Sequence, residues 1–247
     1  MNNQVIFESS NVTSSKSFVA KVFLYIGLGL LITFGVAFGL GALFTQLIGL
    51  GNLDILTDLN VAAAKTYLII LVSALILEIV SLIWITISFR RGRGSLVPYI
   101  IYTIVMGIFI SAFTMFIDFW IIASSFGITS LVFGAMGLAA YLLGDKAKWF
   151  GIVGFGLLFG AIIVSLFNTV VWLITRNPAT LQISSILSIV VLLAMLLITV
   201  FDFYRMNKIA ASGQGNNNLA LYCAFNLYVD FIYIFIRVLS LLASAKR

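Results

Sequence analysis

The chain is 247 residues long, 62% of them hydrophobic and only 9% charged. A soluble domain carries about 25% charged and about 45–50% apolar residues, so a soluble globular fold is excluded, and so is a disordered chain, which needs the opposite balance. The excess of 14 basic over 8 acidic residues does not point to nucleic acid. The basic residues sit mostly between apolar runs, where the positive-inside rule places them in a membrane protein. The chain has no histidine, so His-based triads, HExxH zinc sites and His-ligated haem are ruled out. Cys223 stands alone, so neither an intramolecular disulfide nor a CxxC site can form.

In chain order, residues 1–16 (MNNQVIFESSNVTSSK) are polar and lack the basic start and cleavage site of a secretory leader, so they read as a retained N-terminal tail. Apolar runs follow at 19–46, 66–89, 97–117, 121–143, 149–174, 182–203 and 219–243. A crossing takes roughly 20 apolar residues, so each run is one spanning helix. The third and fourth runs are divided at Asp118, because undivided they are too long for a single crossing. The expectation is an all-α integral membrane protein in which residues 1–247 form one seven-helix domain, with no room for a separate soluble domain.

The connections alternate in charge. Lys16, Lys21, Arg90, Arg91, Arg93, Lys146, Lys148, Arg205 and Lys208 fall on one side, and Lys65, Arg176, Lys246 and Arg247 on the other. Nine against four places the N-terminus inside and, with seven spans, the C-terminus outside. The pairs Gly35/Gly39 and Gly156/Gly160 form GxxxG, with Gly134 and Gly137 close to it; such residues let helix backbones approach and are read as ordinary bundle packing. The stretch Gly213–Asn218 is a polar turn between the last two spans. Pro98 starts a helix and Pro178 lies in a loop, so no span is expected to be broken by proline.

Charges inside spans carry the functional signal, because each costs at least about 2.5–3.5 kcal/mol at mid-bilayer. Glu78, Asp202, Asp230 and Arg237 qualify, and Arg90 sits at a span's inner end. Asp202 lies about 13 Å before the last turn and Asp230 about 18 Å after it, at 1.5 Å per residue. Antiparallel neighbours would therefore bring the two carboxylates to similar depth. Two close carboxylates cannot both ionise easily and can share a proton, and their oxygens suit a hard cation such as Ca²⁺. The spacing equally allows each aspartate to line a vestibule alone or to pair with an arginine. Arg90 is the expected counter-charge, reaching inward with its long side chain, or else a plain interfacial anchor. Glu78 is roughly 18 Å from Arg90 along the same helix, too far to pair with it, and marks a polar pathway or a protonated hydrogen-bonding group. Arg237, two turns after Asp230 on the same face, either partners Glu78 or snorkels outward. Asp54, Asp58 and Asp118 read as solvated loop charges.

The stretch Thr199-Val-Phe-Asp-Phe-Tyr-Arg-Met-Asn-Lys-Ile209, followed by Leu221-Tyr-Cys-Ala-Phe-Asn-Leu-Tyr-Val-Asp-Phe-Ile232, resembles the last two helices of the Bax inhibitor-1 family, also called transmembrane BAX inhibitor motif proteins. Residues 17–39 resemble that family's opening helix, and residues 126–168 its fourth and fifth. The resemblance implies six helices around a central seventh and, from its bacterial members, a pH-sensitive calcium leak. Asp202 and Asp230 match the family's proton-sharing gate, Glu78 its second-helix glutamate, and Arg90 or Arg91 its second-helix arginine. The segment Ser111–Asp118 lacks the family's usual Ser-Pro pair, and Arg237 comes earlier than the family's late basic residue.

The resulting expectation is a non-enzymatic calcium leak in a bacterial plasma membrane with a cytoplasmic N-terminus. Asp202 and Asp230 gate it and hold Ca²⁺ in transit, Arg90 counters them, and Glu78 and Arg237 line the path. Its partners are the bilayer, Ca²⁺ and H⁺, with no resident cofactor and no nucleic acid. The second expectation is an interaction protein of the membrane, suppressing cell death or modulating a membrane protease. An intramembrane hydrolase has only the carboxylate pair in its favour. The oligomeric state stays open.

Overall fold

Where water is absent, every backbone N–H and C=O must be satisfied within the chain, and runs of Leu, Ile, Val and Phe that long have only the helix available. A computed structural model describes residues 15–48, 58–90, 96–175, 179–213 and 215–245, and they are helical almost throughout. The helices are α1 (Ser15–Ile48), α2 (Asp58–Arg90), α3 (Leu96–Phe116), α4 (Phe119–Leu143), α5 (Ala147–Thr175), α6 (Ala179–Ala211) and α7 (Asn217–Ala245). A single 3-10 turn, Gly144–Lys146, joins α4 to α5, and Gly144 turns the chain there with a positive φ of 51°. Six stretches of the described residues are long and apolar enough to cross a membrane, and one of them, Phe119–Thr175, carries α4 and α5 together.

The ends of the helices sort into two levels. Lys21 near the start of α1 donates to Asn217 at the start of α7 (2.9 Å). Phe89 at the end of α2 meets the rings of Tyr222 and Phe225 early in α7. Tyr204 and Lys208 near the end of α6 hold Asp145 in the α4–α5 turn. The four basic segments singled out by charge therefore adjoin one end of the bundle. α1 and α3 run side by side in the same direction, tied by Tyr99 to the Tyr25 carbonyl (2.7 Å) and Thr114 to the Ala37 carbonyl (3.1 Å).

α7 is the most enclosed helix, with 67% of its apolar window buried against 17–50% for the other stretches. It packs on α1, α4 and α6. It reaches α3 through Tyr228 against Tyr99 and Tyr102, and α2 through Phe89. Aromatic rings fill this centre: Phe34 stacks edge-on against Phe126 and Phe235, and Phe133 against Phe203 and Phe231. Buried hydroxyls are returned to their own helices, as in Ser111 to Ile108 and Ser125 to Ile121, the usual way a spanning helix hides a polar side chain.

The glycines corrected the sequence reading. A methyl group at Gly35, Gly39, Gly134, Gly156 or Gly160 would meet nothing within 4 Å, so the GxxxG faces are not the packing faces. The close approaches lie elsewhere. A Cβ at Gly107 of α3 would stand 2.7 Å from the Thr33 carbonyl of α1, and one at Gly154 of α5 would stand 3.0 Å from the Ala194 carbonyl of α6. GxxxG spacing guarantees a flat stripe, not a neighbour on it. α6 also runs to Ala211 rather than ending near 203, because its last turns continue as a polar but fully helical segment. That extension places Arg205 on the helix.

Candidate functional site

Thr199, Asp202 and Arg205 follow at three-residue spacing on α6 and so share one face of it. Asn226, Asp230, Tyr233 and Arg237 form the equivalent stripe on α7. The two stripes border a cavity of about 600 Å³ lined by Asp202 and Asp230, by Met195 and Ile198 of α6, by Asn226, Val229, Tyr233 and Arg237 of α7, and by Leu158, Ile162 and Leu166 of α5. Both aspartates are enclosed, Asp202 at 9% and Asp230 at 3% exposure. The depth argument from the turn thus brings both onto one cavity.

Their partners differ. Asp202 faces Arg205, with 3.8 Å between Oδ1 and Nη1. Arg205 is itself fixed by donating to the Tyr222 hydroxyl (3.2 Å) and by lying over the Phe201 and Tyr222 rings, at 5.7 and 5.3 Å, distances at which a guanidinium is attracted to a ring face. Among the described residues Asp230 has no ion-pair partner, and its Oδ2 is buried without a hydrogen bond. The Thr199 hydroxyl donates to the Met195 carbonyl (2.7 Å).

The described structure places Arg205 beside Asp202, a neighbour additional to the counter-charge expected at Arg90. The backbone of Arg90 ends α2, directly after Phe89, whose ring is 5.1 Å from that of Tyr222; its side chain, like Arg91, lies outside the described residues. Glu78 is half-buried and does not itself line the cavity. Tyr233, which does line the cavity, is the neighbour on α7 that acts on Glu78 electrostatically. Tyr233 also feels the charge of Arg237, and Arg237 donates to Ser188 Oγ of α6 (3.3 Å). Arg237 is therefore an α6 partner on the cavity wall, and Tyr233 stands between it and Glu78. Asp54 lies outside the described residues, and of Asp58 only the backbone at the start of α2 is described.

Sequence reasoning missed Arg205, Thr199 and Tyr233. The first two had a readable signal in their i−3 and i+3 spacing about Asp202. Tyr102 had none: its buried hydroxyl lacks a hydrogen-bond partner and lies within electrostatic reach of Glu78, Tyr228 and Tyr233. Among the described residues no cluster of three or more Asp, Glu, Cys or His is gathered that could cage a metal ion. Two carboxylates alone do not make up the six to eight oxygens that Ca²⁺ takes when held.

Comparison with known proteins agrees with this architecture. The chain is 25% identical over 243 residues to the inner membrane protein YbhL of Escherichia coli (strain K12), covering 94% of this chain and 93% of that one. It is 31% identical over 126 residues to the uncharacterised protein RP147 of Rickettsia prowazekii, a match spanning about half (51%) of each. No solved structure matches it. The apolar helices and the likeness to an inner membrane protein make it an integral membrane protein. The model of the family described as "Inhibitor of apoptosis-promoting Bax1" matches residues 15–247, and the chain belongs to that Bax inhibitor-1 family.

Proposed function

We propose that the protein is a pH-sensitive cation leak, passing Ca²⁺ down its gradient, and that the protonation of the Asp202–Asp230 pair sets the leak. The observation that carries this reading is the convergence of both aspartates on one cavity, Asp202 facing Arg205 and Asp230 with a buried oxygen that makes no hydrogen bond. A shared proton holds the aspartate pair together and α7 seated on α6. Loss or gain of that proton, or arrival of a divalent cation, changes which bonds can form and biases the helix pair toward another arrangement. Glu78, Tyr233 and Arg237 continue the polar path toward the far end.

On the same reading the chain crosses the membrane seven times. A 57-residue stretch taken as one helix would be about 85 Å long at 1.5 Å per residue, far beyond the bilayer, so the turn at Gly144–Lys146 separates two crossings. With the basic end inside, the N-terminus is cytoplasmic in a bacterial plasma membrane, and the C-terminus is outside.

The test is Ca²⁺ entry into dye-loaded proteoliposomes between about pH 6 and 8, where a proton-sharing pair is read, with wild type beside Asp202→Asn. The expected result is a pH-dependent entry that the substitution flattens. An unchanged pH profile sinks the model. The family's printed description supports a second reading, an interaction protein that restrains a cell-death factor. Partner binding that survives Asp202→Asn with Asp230→Asn, together with no flux above empty liposomes, would decide for it.

A further inference from the structure

The cavity is placed for something other than ions from water. Its lining comes from the middle of α5 (Phe155, Leu158, Ala161, Ile162, Leu166), α6 (Val191, Met195, Ile198) and α7, not from their ends. On the α5 side the rim is open, with Phe155 43%, Ile162 47% and Leu166 65% exposed. α5 packs mainly on α6, and α2 contributes only Leu82 to the opposite rim. At mid-helix depth in a membrane, such an opening faces lipid tails, not water.

We propose that this opening admits a single-chain amphiphile with a primary ammonium head, a long-chain alkyl amine, which enters from the bilayer and seats its head on Asp230. An ammonium has three donors. Asp230, one of whose oxygens makes no hydrogen bond, lines the wall together with Asp202 and with Asn226, one turn before it. Asp202 already has Arg205, whereas Asp230 has no ion-pair partner among the described residues, so Asp230 is the carboxylate offered to a cation. Arg237 at the other end of the stripe repels a cation and fixes the polarity, head toward Asp230 and tail along Leu158, Ile162 and Leu166 to the rim. A volume of about 600 Å³ is in the range of small-ligand sites, and its mostly apolar lining with a few convergent polar groups is their usual make-up. This deepens the leak reading, since an amine on Asp230 occupies the place a cation would use.

The test uses full-length protein in lipid nanodiscs and a photoactivatable oleyl amine at low mole fraction, beside its alcohol twin. The expected result is amine labelling on α5, α6 or α7 that unlabelled oleylamine removes and oleyl alcohol does not. Labelling should fall at least about tenfold in Asp230→Asn. It should also fall in Ile162→Trp, which fills the rim from an exposed position and leaves the carboxylates alone. Equal labelling by amine and alcohol, or labelling indifferent to both variants, overturns the proposal. The readout needs no flux: labelling without flux removes the leak and keeps the site, and flux without labelling does the reverse. Where both hold, oleylamine should slow Ca²⁺ entry in wild type and not in Ile162→Trp.

Discussion

Replacing Arg205 by Gln tests the assignment of the counter-charge. The substitution removes an ion pair of 3.8 Å to Asp202, a hydrogen bond to Tyr222 and two ring contacts. The Arg205 side chain is 39% exposed, so solvent screens the pair and its direct value is about 0.2–1 kcal/mol. The hydrogen bond adds about 1 kcal/mol and the rings about 0.5–1 kcal/mol together. A further cost falls on Asp202, which is enclosed and left without its cation. The expected destabilisation of Arg205→Gln is about 2–3 kcal/mol. Asp202→Asn removes the charge that Arg205 balances, so the double variant should recover part of the loss, with a coupling of about 0.5–1.5 kcal/mol. Reversible unfolding of the four proteins in one detergent or in nanodiscs measures the cycle. Additivity within about 0.3 kcal/mol would mean that the two side chains are not coupled, and the assignment of Arg205 as the partner of Asp202 would fail.

Gly154→Ala should cost about 1–3 kcal/mol by the same measurement, since its Cβ would press on Ile198 (2.9 Å) and on the rigid Ala194 carbonyl, whereas Gly156→Ala, with nothing within 4 Å, should be neutral or stabilise by up to about 1 kcal/mol. Tyr204→Phe removes the 2.7 Å bond to Asp145. It should cost no more than about 1 kcal/mol globally while raising the rate at which a protease cuts in the 144–146 turn, and an unchanged rate would deny that this contact holds the turn. Tyr233→Phe removes the cavity-wall hydroxyl that acts on Glu78. If Tyr233 links Glu78 to the aspartate cavity, the variant should alter the Ca²⁺ entry rate without altering its pH midpoint, and an unaltered rate counts against the link.

The aspartate pair was legible because helix rise and a short turn convert sequence distance into depth, and α6 and α7 have only one way to lie beside each other across residues 212–216. Arg205 was not, because mean hydropathy falls after residue 203 and a drop in hydropathy looks the same whether a helix ends or merely becomes polar. Once α6 is seen to continue to Ala211, Arg205 falls one turn past Asp202. The nearness of Glu78 to Tyr233 was not legible for a different reason: Tyr233 is on another helix, and helix rotation about its own axis is not recorded in apolar runs that are greasy on every side. The GxxxG motifs misled in the same way. Gly107, Gly151 and Gly154, which do meet neighbours, stand out by no motif.

Rotation of α7 is the point on which the site depends, and it can be tested at constant composition. Asn226, Asp230, Tyr233 and Arg237 occupy one stripe, and all of them line the cavity. The next residue after Asp230 points elsewhere: Phe231 is 3% exposed and its ring lies 5.4 Å from those of both Phe126 and Phe133 of α4. Exchanging the two, Asp230→Phe with Phe231→Asp, leaves hydropathy and net charge untouched. It moves a carboxylate about 100° around the helix into an aromatic cluster. Loss of a buried phenylalanine alone costs about 3–5 kcal/mol, and an uncompensated buried carboxylate adds more than a domain's usual margin can absorb. The exchanged protein should insert yet fail to give a monodisperse folded species after extraction, whereas Asp230→Asn, on the cavity side, should give one. If the exchange were tolerated as well as Asp230→Asn, α7 would not be held in a fixed rotation. The stripe would then be an accident of spacing, and neither a gate nor an amine site could be built on it.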